Sequence, residues 1–288
     1  MKVLAIVASA RKTGNSEIVA KEILAALPES TEKKMIRLVD FNIEPCRACY
    51  ACLPAGKGCI IQDDLDGLLQ QVREADAVIL ASPVYFLGMH TRLKLLCDRC
   101  ISVLNDATEY SGRRCVVVVP YGVEGWEGCG VEATVSVARF LHLDVVGVLP
   151  IHAANPGEAA RPEILEQARA LAGLLVTERT DAVGPKNGSV IRQTTNSDDI
   201  VCSACGSGIV RLSCNGSVRC VICGAVGAIH AMEASGGDAV QCEWDRPEHF
   251  RYSVEGMMEH GRRLEDIKAD FIARRQELAE LRKPYKGD

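Results

Sequence analysis

Five short apolar runs punctuate the first part of the chain, and longer stretches with helical spacing separate them. Residues 3–7 are continuously apolar, the pattern of a strand buried on both faces. Residues 77–81, 115–119 and 145–149 repeat it, and 35–39 does so with Arg37 inside the run. Helical periodicity fills the intervals over 16–27, 63–75, 88–104, 130–141 and 158–177. Pro28 stops the first of these, and Asp63-Asp64 place acids at the favourable end of the second. Strands alternating with helices predict a parallel sheet covered on both faces.

The count and spacing suit a flavodoxin-like three-layer α/β sandwich over residues 1–177, with strand order 2-1-3-4-5. In that class ligands sit at the carboxyl ends of the strands. Residues 178–200, rich in Gly, Thr, Asn and Asp, read as a linker. Residues 201–250 hold paired cysteines and read as a small ribbon. Residues 251–288 read mainly as a charged helix. Along it Leu264, Ile267, Phe271, Leu278 and Leu281 recur at three- and four-residue steps. That stripe needs a covering surface, either the body of the protein or another subunit.

Composition narrows the function classes. A net charge of −5 over 288 residues gives no electrostatic footprint for nucleic acid or anionic membrane. No uninterrupted apolar run approaches the roughly 20 residues of a membrane span, and the first residues lack a signal-peptide pattern. The expectation is a cytoplasmic protein. Its 14 cysteines, many in Cys-x-x-Cys pairs, point in that setting to metal or redox chemistry rather than to disulfides.

The segment ASARKTGNSE follows the first strand directly. Ala8, Ser9 and Ala10 allow a tight turn, and Gly14 relaxes it. Ser9, Asn15 and Ser16 offer short polar side chains, and Arg11 brings a fixed charge. The next helix can aim its first N–H groups at an anion. The segment has neither the Lys-Ser ending of a Walker A loop nor the three-glycine dinucleotide fingerprint, so a monophosphate suits it better than a pyrophosphate. An ordinary capped strand-to-helix turn is the bland alternative. After the third strand, Ser82 and Pro83 stiffen the exit, and Tyr85 and Phe86 can flank a flat ring. After the fourth, PYGVEGWEG sets glycines, among them Gly122, beside Tyr121 and Trp126. Three such loops at one sheet edge describe a flavin site.

These segments resemble the NADPH-dependent FMN reductase and iron-sulfur flavoprotein group. The likeness rests on residues 9–16, on CIIQDD at 59–64, on ADAVILASPVY at 75–85, and on Leu93-Lys94 with Asp98-Arg99. It covers about residues 1–177. The family loop usually begins Gly-Ser where this chain has Ala8-Ser9. The resemblance implies noncovalent FMN, its phosphate held by Ser9, Arg11, Asn15 and Ser16, and Pro83, Val84 and Tyr85 lying along the flavin. It also implies a homodimer or dimer of dimers that completes the flavin site.

Cys46, Cys49, Cys52 and Cys59 follow the second strand with gaps of two, two and six residues. Thiolates this dense suit an iron-sulfur cluster, and the flavin group implies the same 4Fe-4S reading. A dithiol pair and a zinc site stay open beside it. Cys97 and Cys100 read as packing. Further on, Cys202, Cys205, Cys220 and Cys223 form two Cys-x-x-Cys-Gly knuckles. Four thiolates so arranged suit a tetrahedral ion, zinc most simply, with rubredoxin-like mononuclear iron or no metal as alternatives. Cys214 reads as a bystander, Cys242 is unassigned, and the ribbon's few basic residues favour a structural or docking role over nucleic acid.

The expected function is an FMN-dependent electron-transfer oxidoreductase. The donor is left open between NAD(P)H and ferredoxin, and the acceptor between a small molecule and another electron-transfer protein. One alternative is an NAD(P)H-dependent FMN or quinone reductase with redox-silent cysteines. Another is a non-enzymatic redox-sensing interaction protein.

Overall fold

The first apolar run forms β1 (Lys2–Val7) at the centre of a parallel sheet in the computed structural model. The structure describes residues 1–177, 191–192, 200–234, 237–245 and 250–283. β1 is followed by α1 (Asn15–Ala26), β2 (Glu32–Arg37), α2 (Leu65–Glu74), β3 (Ala77–Ala81), α3 (Thr91–Arg99), β4 (Arg114–Tyr121), α4 (Gly130–Phe140), β5 (Asp144–His152) and α5 (Pro162–Val176). The sheet order is β2-β1-β3-β4-β5, as expected for a flavodoxin-like fold. A sixth strand, β6 (Ile191–Arg192), then pairs parallel to β5 with Gly147 opposite Ile191. The stretch read as a linker therefore contributes to the sheet. Apart from β6 and residue 200, the linker expected over 178–200 lies outside the described residues.

Alternation within each strand divides the core in two. Leu4 and Ile6 of β1, Val78 and Leu80 of β3, and Val117 and Val119 of β4 pack toward α2, α3 and α4. Val3, Ala5 and Val7, with Ile79 and Val118, pack toward α1 and α5. Burial on both faces is why these strands read as unbroken apolar runs. β2 is different. Glu32, Lys33 and Lys34 are exposed, as suits an edge strand that must not recruit another chain. Their polarity displaces the predicted strand to 35–39, whereas pairing begins at Glu32 opposite Lys2.

The predicted helix at 88–104 also needs correction. Gly88-Met89 pair antiparallel with Val84-Tyr85 in a hairpin, and α3 begins only at Thr91, capped by His90, whose Nδ1 accepts from the Arg92 N–H at 3.1 Å. The hairpin's central residues, Phe86 and Leu87, have φ of 51° and 65°. A two-residue hairpin loop requires that conformation, and Gly or Asn usually marks it. Here neither does, so helical periodicity prevails in the reading.

Beyond β6 lies a four-stranded antiparallel sheet of β7 (Val210–Leu212), β8 (Ser217–Cys220), β9 (Val226–Ala234) and β10 (Gly237–Trp244). α6 (Val254–Ala273) and α7 (Arg275–Arg282) follow, so the expected single helix is interrupted at Arg274. Of the apolar stripe, Leu264 is buried, while Ile267, Phe271 and Leu281 are exposed. Among the described residues no helix is long and apolar enough to cross a membrane.

Candidate functional site

Parallel strands send their loops to one edge, and here that edge gathers the segments with chemistry. The loop after β1 turns through Thr13 at φ 52°. Its Ser9 is buried, and the Ser9 Oγ accepts from the Arg11 N–H at 3.2 Å. α1 starts at Gly14 with no side-chain cap. Ser16 is only 1% exposed, yet its Oγ has no hydrogen-bond partner among the described residues. An uncapped helix start beside a buried, orphaned hydroxyl leaves donors that suit an anion, a candidate seat. Arg11 lies exposed at its rim. The Asn15 side chain turns away from that seat. Its amide donates to the carbonyls of Ala153 and Asn155, both at 3.0 Å, and its Oδ1 accepts from Gly157 N–H. It thus ties the β5–α5 loop to the anion seat and leaves its backbone for a ligand.

Pro83, Val84, Tyr85 and Phe86 stand on the hairpin after β3. Tyr85 is half exposed, Phe86 fully so, and the Tyr85 ring lies 5.0 Å from that of His90. The loop after β4 grips this hairpin, with Cys129 N–H donating to the Leu87 carbonyl at 2.9 Å. A Cβ at Gly128, where φ is +54°, would collide with that same carbonyl. Tyr121 ends β4, 5.6 Å from the His152 ring, and Gly122 follows beside Ala154. Burial and the charges of Glu127 and Glu124 raise the Tyr121 phenol pKa, keeping it protonated.

The 46–59 segment leaves β2 at this edge too. Cys49 is exposed, Cys46 and Cys59 half-buried, and Cys52 buried. Burial, followed by the charges of Cys59, Cys49 and Cys46, pushes the Cys52 thiol up to about 11. The other three cysteines of the segment thus lie within electrostatic reach of Cys52. Ala48 and Tyr50 both take left-handed φ, 48° and 53°, a strain of about 1–3 kcal/mol each that persists only where the surroundings enforce it.

Both stems of this segment are fixed by an ion pair that sequence reading missed. Arg99 is 1% exposed, and its Nη1 donates to Asp63 Oδ2 at 2.6 Å and to the Glu44 carbonyl at 2.7 Å. Asp63 in turn accepts from the N–H groups of Glu44 and Leu65. Burial opposes the Arg99 charge, but Asp63 and the neighbouring Cys59 outweigh it and raise its pKa. Arg99 Nε is buried without a hydrogen-bond partner among the described residues. An orphaned donor in a guanidinium that interacts with Cys59 fits a sulfur-rich group there. The pair's only signal in the sequence is that CIIQDD and Asp98-Arg99 both belong to the resembling segments.

The second cysteine set is drawn tighter. The sulfurs of Cys202, Cys205, Cys220 and Cys223 all lie within 4.8 Å of one another and all four residues are buried. Cys202–Cys223 and Cys205–Cys220 stand at 3.5 Å, close to the roughly 3.8 Å edge of a zinc–thiolate tetrahedron with 2.3 Å bonds. The four thiols titrate as one coupled set, two of them pushed up and two pulled down by hydrogen bonds among themselves. Among the described residues this is the one cysteine group so compact; a cubane places inorganic atoms between its ligands and spaces them more widely. Cys214 is exposed, and Cys100 is buried as packing requires.

Fold and carboxyl-edge loops together define a flavodoxin-like domain whose ligand edge is the one just described. Residues 1–154 match the NADPH-dependent FMN reductase family, and the chain belongs to it. An iron-sulfur flavoprotein of Methanocaldococcus jannaschii is 44% identical over 100 residues, 34% of this chain and 51% of that one. Another, of Archaeoglobus fulgidus, is 32% identical over 154 residues, 52% of this chain and 66% of that one. The chain thus spans about half to two thirds of these relatives' length. A solved flavone reductase shares the fold over 100% of this chain and 99% of its own, with a TM-score of 0.71 at 19% identity.

Proposed function

We propose that the protein is an FMN-dependent electron-transfer oxidoreductase of iron-sulfur flavoprotein type. It takes electrons from NAD(P)H or a reduced ferredoxin and passes them to a small-molecule or protein acceptor. The carrying observation is the placement of the 46–59 cysteines on the same sheet edge as the anion seat, with both stems locked by Arg99 and Asp63. When bound, FMN exchanges hydride or single electrons and a 4Fe-4S cluster exchanges single electrons.

The chain's own residues bind and shape. The N–H groups at the start of α1, Ser9, Ser16 and Arg11 hold the phosphate. Pro83, Val84, Tyr85 and Phe86 offer an apolar wall, and Tyr121 and Gly122 form the opposite rim. The exposed Phe86 and Trp126 suit closure of the site by a second copy in a homodimer. Cys46, Cys49, Cys52 and Cys59 are the cluster ligands, and Cys202, Cys205, Cys220 and Cys223 hold a structural zinc.

Iron, zinc and FMN quantitation on protein purified without oxygen tests this reading. The expected content is about four irons, one zinc and one FMN per chain. One FMN with a single metal would leave a plain NAD(P)H-dependent FMN or quinone reductase. Cys49→Ser is expected to remove most of the iron while FMN stays; unchanged iron per chain strikes Cys49 from the ligands. Arg11→Ala is expected to weaken FMN binding by about 1.5–3 kcal/mol, the range for a hydrogen bond to a charged group, or roughly ten- to a hundredfold in Kd. An unaltered FMN titration would remove Arg11 from the phosphate seat.

A further inference from the structure

α6 runs from the cysteine ribbon to the 46–59 loop and touches both. At its ribbon end, Arg251 Nη1 donates to the Ile222 carbonyl at 2.6 Å, inside the second knuckle. Next to it, Tyr252 lies under the Arg139 guanidinium, 5.4 Å from the ring centroid, and its hydroxyl is 3.1 Å from Ser136 Oγ. Arg139 itself donates to the Cys205 carbonyl, in the first knuckle, at 3.0 Å. Ser253 then caps α6 by accepting from the Gly256 N–H at 3.1 Å. Both knuckles are therefore fastened to the residues that set where α6 begins.

At its other end α6 covers the cysteine loop. Met257 and Leu264 form a buried cluster with Leu53, the residue after Cys52, and Tyr50 packs against it. Asn105 donates to the Leu53 carbonyl at 2.6 Å. Gly261 lets the helix approach, since a Cβ there would stand 2.5 Å from Asn105 Oδ1. Lys268 Nζ donates to the Tyr50 carbonyl at 3.1 Å, between Cys49 and Cys52. Tyr50 and Ala48 are the two residues of the loop held in left-handed backbone without being glycine, a conformation that needs an external hold.

We infer that α6 is a clamp on the cysteine loop, anchored on the metal knuckles by Arg251, with Lys268 as a positioning residue that keeps Cys52 in its ligating conformation. The inference rests on the proposed role of 46–59 as a cluster site, because that role gives the clamp its purpose. The second metal then serves the first site at a distance: it stiffens the ribbon, the ribbon fixes the start of α6, and α6 holds the strained loop.

The test uses full-length protein with FMN and ribbon metal in place and the 46–59 loop free of iron. N-ethylmaleimide labelling is followed cysteine by cysteine by peptide mass spectrometry. Lys268→Met and Arg251→Met are each expected to speed labelling of buried Cys52 at least tenfold. Exposed Cys49 should change less than twofold, and Cys115, fully buried in β4, should stay unlabelled as the sign of an intact core. Lys268→Arg, which keeps a donor, should restore slow labelling. Wild-type Cys52 rates in both Met variants would overturn the clamp, and so would a rise in Cys115 labelling parallel to Cys52, which marks general unfolding. Iron content is read separately on wild-type protein reconstituted with iron and sulfide. No iron uptake there would defeat the cluster reading, while the labelling rates would still decide whether α6 holds the loop.

Discussion

Arg99→Met is expected to cost about 3–5 kcal/mol of stability, the usual cost of breaking one side of a buried ion pair. The variant leaves the Asp63 carboxylate, with 0% side-chain exposure, facing no counter-charge. It also removes the donor to the Glu44 carbonyl, so the 46–59 segment loses its tie at one stem. Urea unfolding of purified variant and parent measures the cost. A difference below about 1 kcal/mol would show that the pair stands in a wetter, more forgiving place than its burial indicates. The same pair sets an acid sensitivity. Burial alone would raise the Asp63 pKa, but hydrogen bonds from Arg99, Glu44 and Leu65 outweigh it and hold the carboxyl below its ordinary value. A depressed folded pKa adds stability above the unfolded value of about 3.9. That stability is lost as pH falls through the lower folded value. Asp63→Asn should therefore be less stable at neutral pH and lose less on acidification.

Removing the ribbon metal is expected to dissolve the ribbon while the flavin domain stays folded. Among the described residues the ribbon's buried apolar side chains are Cys202, Ala204, Cys205, Cys220, Cys223 and Ala225, with Val218 on β8. Four of these seven are the proposed ligands, so without metal the described core is two alanines, one valine and partly buried neighbours. Structural zinc sites contribute about 10–16 kcal/mol of apparent binding energy in small peptides at neutral pH, far more than two alanines and a valine supply at about 25 cal/mol per Å². Treatment with a strong chelator, or Cys220→Ser, should open residues 200–245 to trypsin and leave residues 1–177 resistant. A ribbon that resists trypsin after its metal is stripped would show that packing against α4, through Arg139 to Cys205 and Ser207 to Glu132, suffices to hold it.

The sheet was legible because its strands are buried on both faces and write their position as unbroken apolar runs. Residues 77–81 of β3 appear in the sequence without error. The edge strand β2 does not, since four of its six residues are charged, and neither does the hairpin around Phe86, whose turn lacks the usual glycine. The convergence of Cys202, Cys205, Cys220 and Cys223 was legible from their spacing, and so was the tight turn after β1 from its small residues. The Arg99–Asp63 pair and the Lys268 contact were not. Each joins residues far apart in sequence, 36 and 218 positions, and no local pattern announces such a pairing. Asn15 shows the remaining difficulty: its residue type suited a ligand, but its side chain holds a neighbouring loop.

The two margins of the main sheet carry a consequence for assembly. On one side β2 presents Glu32, Lys33 and Lys34 to solvent; on the other, the described residues of β6 pair with β5 at Ile191 and Arg192. Charge opposes strand addition at the β2 margin. Copies of this chain are thus steered away from extending the sheet through β2. A second copy would instead meet the exposed apolar side chains of Phe86 and Trp126 or of Ile267 and Phe271 on α6, surfaces that can meet and part without unravelling a strand.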